Sequence, residues 1–84
     1  MARYRLIWLT IAEMQYRSLG EEFQALVDRR LGWLLEAPTA DPDAVCNSRC
    51  DQWSVPLGDH GFLFYAVVDE PATVIVVRLV VGLL

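Results

Sequence analysis

The chain contains no lysine, one histidine and two cysteines, and each scarcity removes a class of function. Seven arginines stand against eleven acids, for a formal net charge of −4. A protein that grips phosphate backbones ordinarily presents a basic face, so direct nucleic-acid binding is not expected. Arg3 and Arg5, on the first predicted strand, are the only nucleic-acid candidates, and read more simply they are two solvated strand residues. Cys46 and Cys50 are spaced C-x3-C, with His60 and the carboxylates of Asp43, Asp51 and Asp59 nearby in sequence. Four-coordinate zinc asks for a better ligand set than this, so the cysteines are read as free thiols, and neither a metal nor another cofactor is expected. No nucleophile motif, phosphate-binding glycine loop or pair of catalytic carboxylates is present. The apolar run Val74 to Leu84 is shorter than the about 20 residues of a spanning helix and carries Arg78. Nor does Leu6 to Ile11, followed by Glu13, Gln15 and Arg17, look like a signal peptide. The expectation is a cytoplasmic protein that does not enter the membrane.

What the chain has in excess is apolar surface. Hydrophobic residues make up 55% of its 84 residues, with a mean hydropathy of +0.31, against roughly 45–50% in ordinary soluble domains. One domain spanning 1–84 with two layers is all that this length supports. The excess concentrates in Gly61 to Leu84, which reads as a hairpin turning at Asp69-Glu70-Pro71-Ala72. Phe62, Phe64, Ala66 and Val68 share one face of its first strand, and Leu63, Tyr65 and Val67 the other. Strands apolar on both faces belong in the middle of a sheet that is covered on both sides, by the chain or by a partner.

Upstream, Tyr4, Leu6 and Trp8 alternate with Arg3, Arg5 and Ile7 as a strand with one buried face. Thr10 and Glu13 have the spacing of a capping box, and Leu9 and Met14 that of a hydrophobic staple. These predict a short helix with Ile11, Ala12, Met14, Tyr16 and Leu19 inward, ended by Gly20 in a left-handed conformation. Glu21 and Glu22 open a second helix with the stripe Phe23, Leu26, Val27, Leu31 and Leu34, stopped by Pro38. Arg30 lies inside that stripe, with its stem along the surface and its charge in water, or else facing an acid on a partner. Gly32 weakens the helix without evident compensation. Ala37 to Cys50 is predicted as an irregular, mobile loop. A strand follows at Asp51 to Val55, with Trp53 and Val55 on one face.

The predicted class is α+β, in the order β-α-α-β-β-β: a small, twisted, mainly antiparallel sheet with a two-helix hairpin packed on one face. Strand one belongs beside the last strand. The sheet's other face has nothing in the chain to cover it, and is either a site or an interface. Phe62, Phe64, Val80, Arg78 and Trp53 are the expected partner-binding residues. For acid–base chemistry the only cluster on offer is His60, Tyr65 and Arg78. Its plainer reading is a turn histidine, a core tyrosine and an arginine paired with some carboxylate.

Several stretches together resemble the RelE/ParE superfamily of toxins from type II toxin–antitoxin pairs. They are Tyr4-Arg5-Leu6-Ile7-Trp8 running into Ala12, the hairpin end Leu34-Leu35-Glu36-Ala37-Pro38, Gly61 and Tyr65 leading to Val67-Val68-Asp69-Glu70, and Thr73-Val74-Ile75-Val76. The resemblance covers nearly the whole chain. It implies an antitoxin that wraps the toxin and covers apolar surface. RelE-like members cut mRNA on the ribosome with basic and aromatic side chains, whereas ParE-like members poison DNA gyrase. Where the family usually has an arginine, ahead of Tyr65, this chain has Phe62. Asp51 to Gly58 contains no basic residue, and Val81-Gly82 stands where a basic pair is common. The expectation is therefore a toxin-like protein, gyrase-type or catalytically degenerate, that acts by binding protein rather than as an enzyme and is neutralised by an antitoxin. The alternatives are a ribosome-dependent nuclease with relocated residues (Arg3, Arg5, His60, Tyr65, Arg78) or an α+β module that self-associates, as a homodimer, through its open sheet face.

Overall fold

A computed structural model describes residues 3–47, 49 and 51–81. Its elements are β1 (Arg5–Trp8), α1 (Thr10–Arg17), α2 (Glu21–Leu34), β2 (Val45–Asn47), β3 (Gln52–Pro56), β4 (Gly61–Asp69) and β5 (Ala72–Val81). The five strands form one sheet in the order β1-β5-β4-β3-β2. β1 runs parallel to β5, and every other pairing is antiparallel. The expected α+β class, the helix pair and the placing of β1 beside β5 are all present. The expected strand count is one short: the segment predicted as a loop contributes β2, which pairs Val45 with Ser54 and Asn47 with Gln52 at the sheet edge. So short a strand leaves no periodicity to read. Cys50, and the end of the predicted hairpin at residues 82–84, lie outside the described residues. Among the described residues, no helix is long and apolar enough to cross a membrane.

The core lies between the helices and one face of the sheet. Val27, Leu31 and Leu34 of α2 and Ala12 of α1 pack with Val55, Leu63, Tyr65, Val74, Val76 and Leu79. Strand alternation accounts for Val55, Leu63 and Tyr65, but β5 departs from it. Phe64 pairs with Arg78, yet Tyr65 pairs with Val76, so Val77 is an extra residue in a bulge. Strict alternation from Val76 would turn Arg78 into the core. The bulge resets the phase, burying Leu79 and leaving Arg78 and Val80 exposed.

Helix α1 differs from expectation in detail. The Leu9 N–H donates to the Val76 carbonyl at 3.1 Å, which extends the β1 ladder through Leu9. The helix therefore starts at Thr10, with Leu9 at the cap position and no side-chain cap. The predicted capping box does not form, and the Glu13 carboxylate instead meets Arg17 at 2.9 Å. The staple is absent as well, since Leu9 and Met14 are both exposed. Ala12, Tyr16 and Leu19 face the core as expected, whereas Ile11 and Met14 point outward. Gln15 decides the matter. Its side-chain oxygen accepts the Leu79 N–H at 2.8 Å, a donor that β1 is too short to reach, and this docks the 12-15-16-19 stripe. Leu6 stays partly exposed because β1 is the edge of the sheet.

The two helices meet through the Tyr16 hydroxyl, which donates to Asp28 at 2.7 Å, and Gln24, which donates to the Tyr16 carbonyl at 3.0 Å. The Asp28 hydrogen bond and, less, burial hold the Tyr16 hydroxyl above its ordinary pKa. Gly20 is not a left-handed helix end; its φ of −68° is the extended cap of α2. Arg30 corrects a further expectation. Its side chain is only 12% exposed, and its charge is met within its own chain by Asp41 at 3.2 Å and Asp43 at 3.4 Å. The same guanidinium donates to the Pro56 carbonyl at 3.2 Å. The segment predicted as mobile is thus tied to α2 and β3. It is tied again where the buried Tyr65 hydroxyl donates to the Pro38 carbonyl at 2.7 Å.

Two glycines have opposite surroundings. A Cβ at Gly32, inside α2, would meet nothing within 4 Å. At Gly61 φ is +153°, and a Cβ would fall 1.8 Å from the Val80 carbonyl oxygen. Gly32→Ala is expected to raise stability by about 1 kcal/mol, roughly 4–8 °C in Tm. Gly61→Ala is expected to cost about 2 kcal/mol or more, because backbone must move; thermal unfolding of the two variants checks both signs.

Burial, and then the charge of Asp41, push the Tyr65 hydroxyl up to about 12 from its ordinary 10.0. Between those values the unfolded chain holds fewer protons than the folded one, so stability falls as pH rises from 10 to 12. Tyr65→Phe should cost about 1–2 kcal/mol near neutrality, by stripping the buried Pro38 carbonyl of its donor. It should also flatten the alkaline fall, leaving the smaller slope of like sign from Tyr16. Urea titrations across that pH range read both effects.

Candidate functional site

The register decides which side chains face away from the helices. Phe62 lies opposite Val80, Phe64 opposite Arg78 and Ala66 opposite Ile75. Ile7 on β1 joins Ile75, and Ser54 with Val45 continues the row beyond Phe64. No element of the described chain covers this face. Phe62 and Ile7 are each 49% exposed and Val80 45%, values far above those of core residues. For a small domain, such a continuous apolar row is the surface signature of a partner site.

Among the described residues, Arg78 is the charge in the middle of this face, with Arg5 at its β1 edge. The Arg78 guanidinium sits 4.5 Å from the centroid of the Phe64 ring, a cation–π contact of roughly 0.5–1 kcal/mol at an exposed site. Beside it lies a hollow of about 550 Å³, walled by Asn47, Gln52, Trp53, Phe64 and Arg78, with Val45 at its edge. The hollow exists because β2 pairs with β3 and raises a rim, a contribution that the sequence reading did not foresee. The place of Trp53 is double: it shares the inner face with Tyr65, its ring stacked at 6.4 Å, and it also lines the hollow.

Phe62, Phe64, Arg78 and Val80 come together on one surface. His60, Tyr65 and Arg78 do not. Tyr65 is buried on the helix side, with its hydroxyl on Pro38, whereas Arg78 projects from the opposite face. His60 stands in the β3–β4 turn, with its ring against Phe23 at 5.3 Å. The sheet itself separates the cluster, which adjacency in sequence could not reveal. Arg3 and Arg5 are exposed and form no ion pair among the described residues. Arg5 pairs in register with Thr73, at the far end of β5 from Arg78, so the basic residues do not converge on one patch. No group of three or more His, Cys, Asp or Glu side chains among the described residues could hold a metal ion.

Chemically, the face is equipped for adhesion. A guanidinium on an aromatic platform beside a polar-rimmed hollow holds an anionic group well. The Arg78 guanidinium is a hydrogen-bond donor with no acceptor of its own.

No family model and no characterised protein matches the chain by sequence. Solved structures match over nearly their whole lengths. A chain of the intact E. coli RelBE toxin–antitoxin complex superposes with a TM-score of 0.81 at 23% identity, over 96% of this chain and 99% of that one. The RelBE2 toxin–antitoxin complex of Mycobacterium tuberculosis gives 0.79 at 22% identity, over 98% and 94%. A YoeB/ParE toxin from Agrobacterium tumefaciens gives 0.76 at 12% identity, over 94% and 99%. The fold implied by the sequence motifs is therefore the fold observed: the chain has the RelE/ParE architecture.

Proposed function

We propose that this chain is the toxin component of a type II toxin–antitoxin pair, acts in the cytoplasm by binding a protein target, and is held inactive by an antitoxin segment laid on its open sheet face. The fold supports the class, since the matching structures include toxin–antitoxin complexes. The observation that carries the mode of action is the composition of that face: an apolar row of Phe62, Phe64 and Val80 around the Arg78 guanidinium. The Tyr65 hydroxyl is turned away beneath it. Cutting RNA would require one group to take a proton and another to give one, and the face supplies neither. DNA gyrase is the family's precedent for a target bound rather than cut.

A second reading rests on the hollow beside Arg78, where a base could stack on Phe64 and a phosphate meet the guanidinium. It corresponds to a ribosome-dependent nuclease with relocated residues. Growth and mRNA integrity after induced expression separate the two. The expected result is arrest with intact mRNA, relieved by co-expression of whatever antitoxin-like open reading frame adjoins the gene. Cleaved mRNA, with cleavage lost in Arg78→Ala, would establish the nuclease instead.

The antitoxin's place is tested separately. Phe62→Asp should weaken antitoxin binding by about 2 kcal/mol, roughly thirtyfold in Kd, with little change in Tm because the ring is half exposed. Isothermal titration gives the first quantity and thermal unfolding the second; unaltered affinity would remove the sheet face as the docking surface.

A further inference from the structure

The helix layer presents a second surface, unconnected with the sheet face. Trp33, near the end of α2, is 60% exposed, yet it does not stand free. The Arg30 guanidinium lies 5.6 Å from its ring centroid. Asp41, Asp43 and the Pro56 carbonyl in turn hold that guanidinium. An arginine held by three internal hydrogen bonds thus braces an exposed indole. Large aromatic side chains fixed in this way are the usual anchors of protein interfaces.

Two hollows flank the indole. One, of about 320 Å³, is floored by Ala37, Ala40 and Pro42. The other, of about 300 Å³, lies among Leu26, Arg29, Pro56 and Gly58. Trp33 and Asp43 border both. The charges left on this patch are of opposite sign. Arg29 forms no ion pair among the described residues. The Asp43 carboxylate is 63% exposed, and its contact with Arg30 is the longer of that arginine's two. One knob, hollows to receive a knob, one free cation and one accessible anion make a surface that is its own complement. Two-fold association demands this property, because each residue must meet its counterpart's partner.

The geometry points to a homodimer across this patch: Trp33 of each copy seats in a hollow of the other, and Arg29 of each copy pairs with Asp43 of the other. A patch of one sign would ask for a different protein; this one fits a second copy of the chain. The dimer leaves the open sheet face free, so its existence does not depend on the function proposed above.

Sedimentation velocity of the full chain over a concentration series tests the inference. The expected result is a monomer–dimer equilibrium that Trp33→Ala weakens at least about tenfold. Arg29→Asp and Asp43→Arg should each be monomeric, since each sets like charges opposite one another. Mixed in equal amounts they should dimerise again, because every pair across the mixed interface is then of opposite sign. If a charge reversal does not fold by circular dichroism, Arg29→Gln and Asp43→Asn replace it, and the dimer should become weaker and less sensitive to salt. A wild-type chain that stays monomeric throughout overturns the inference. So does a dimer indifferent to Trp33→Ala, or a mixture of folded charge reversals that fails to re-form one. The growth and mRNA measurements are unaffected by either outcome.

Discussion

Two helices of 8 and 14 residues have to cover a sheet of five strands, and they suffice for only one of its faces. Most of the molecule's character follows from this shortage. The face that receives α1 and α2 becomes the core, with Val55, Leu63, Val74 and Val76 fully buried. Its reverse carries side chains nearly as apolar and, among the described residues, has nothing to set against them. A protein of this length gains its stability from a thin margin of burial over chain entropy. The described residues supply no third layer.

Because the sheet is the partition, small irregularities in it decide what each face is made of. The single extra residue at Val77 moves Arg78 from the core side to the open side. A buried and unpaired guanidinium would cost several kcal/mol, so the bulge is what makes a run as apolar as β5 compatible with a charge in its middle. Gln15 completes the repair by meeting the Leu79 N–H beyond the reach of β1. The outward turn of Arg78 and the inward turn of Tyr65 then separate groups that sequence proximity would have joined. The open side is left with Arg78 among apolar side chains, and the Tyr65 hydroxyl lies on the helix side.

The two central arginines illustrate how environment assigns a role. Arg78, exposed over Phe64, keeps its charge available to a partner. Arg30, with the same chemistry, is enclosed by Asp41, Asp43 and Pro56 and is spent on structure. It fastens the segment ahead of β2 to α2 and β3, and so helps to set the rim of the hollow on the other side of the sheet. It also braces Trp33. Breaking one partner of such an enclosed charge is costly, which explains how a segment with so little regular structure keeps its place.

The class of fold, the element order of the helices and long strands, the position of β1 beside β5 and the uncovered apolar face were all legible in the sequence. They depend on periodicity and on counting how much helix there is to cover how much sheet. The RelE/ParE likeness was legible for the same reason, since its motifs are runs of patterned apolar residues. The capping box at Thr10 and the inward place of Ile11 and Met14 were misread. In each case a distant group, the Val76 carbonyl or the Leu79 N–H, outbid the local signal. The phase of β5 after Val76, the raising of β2, the enclosure of Arg30 and the parting of His60, Tyr65 and Arg78 were decided by tertiary structure alone. Local pattern specifies what an element is; which of its sides is buried, and whom a polar group meets, depends on partners far along the chain that only folding brings within hydrogen-bond distance.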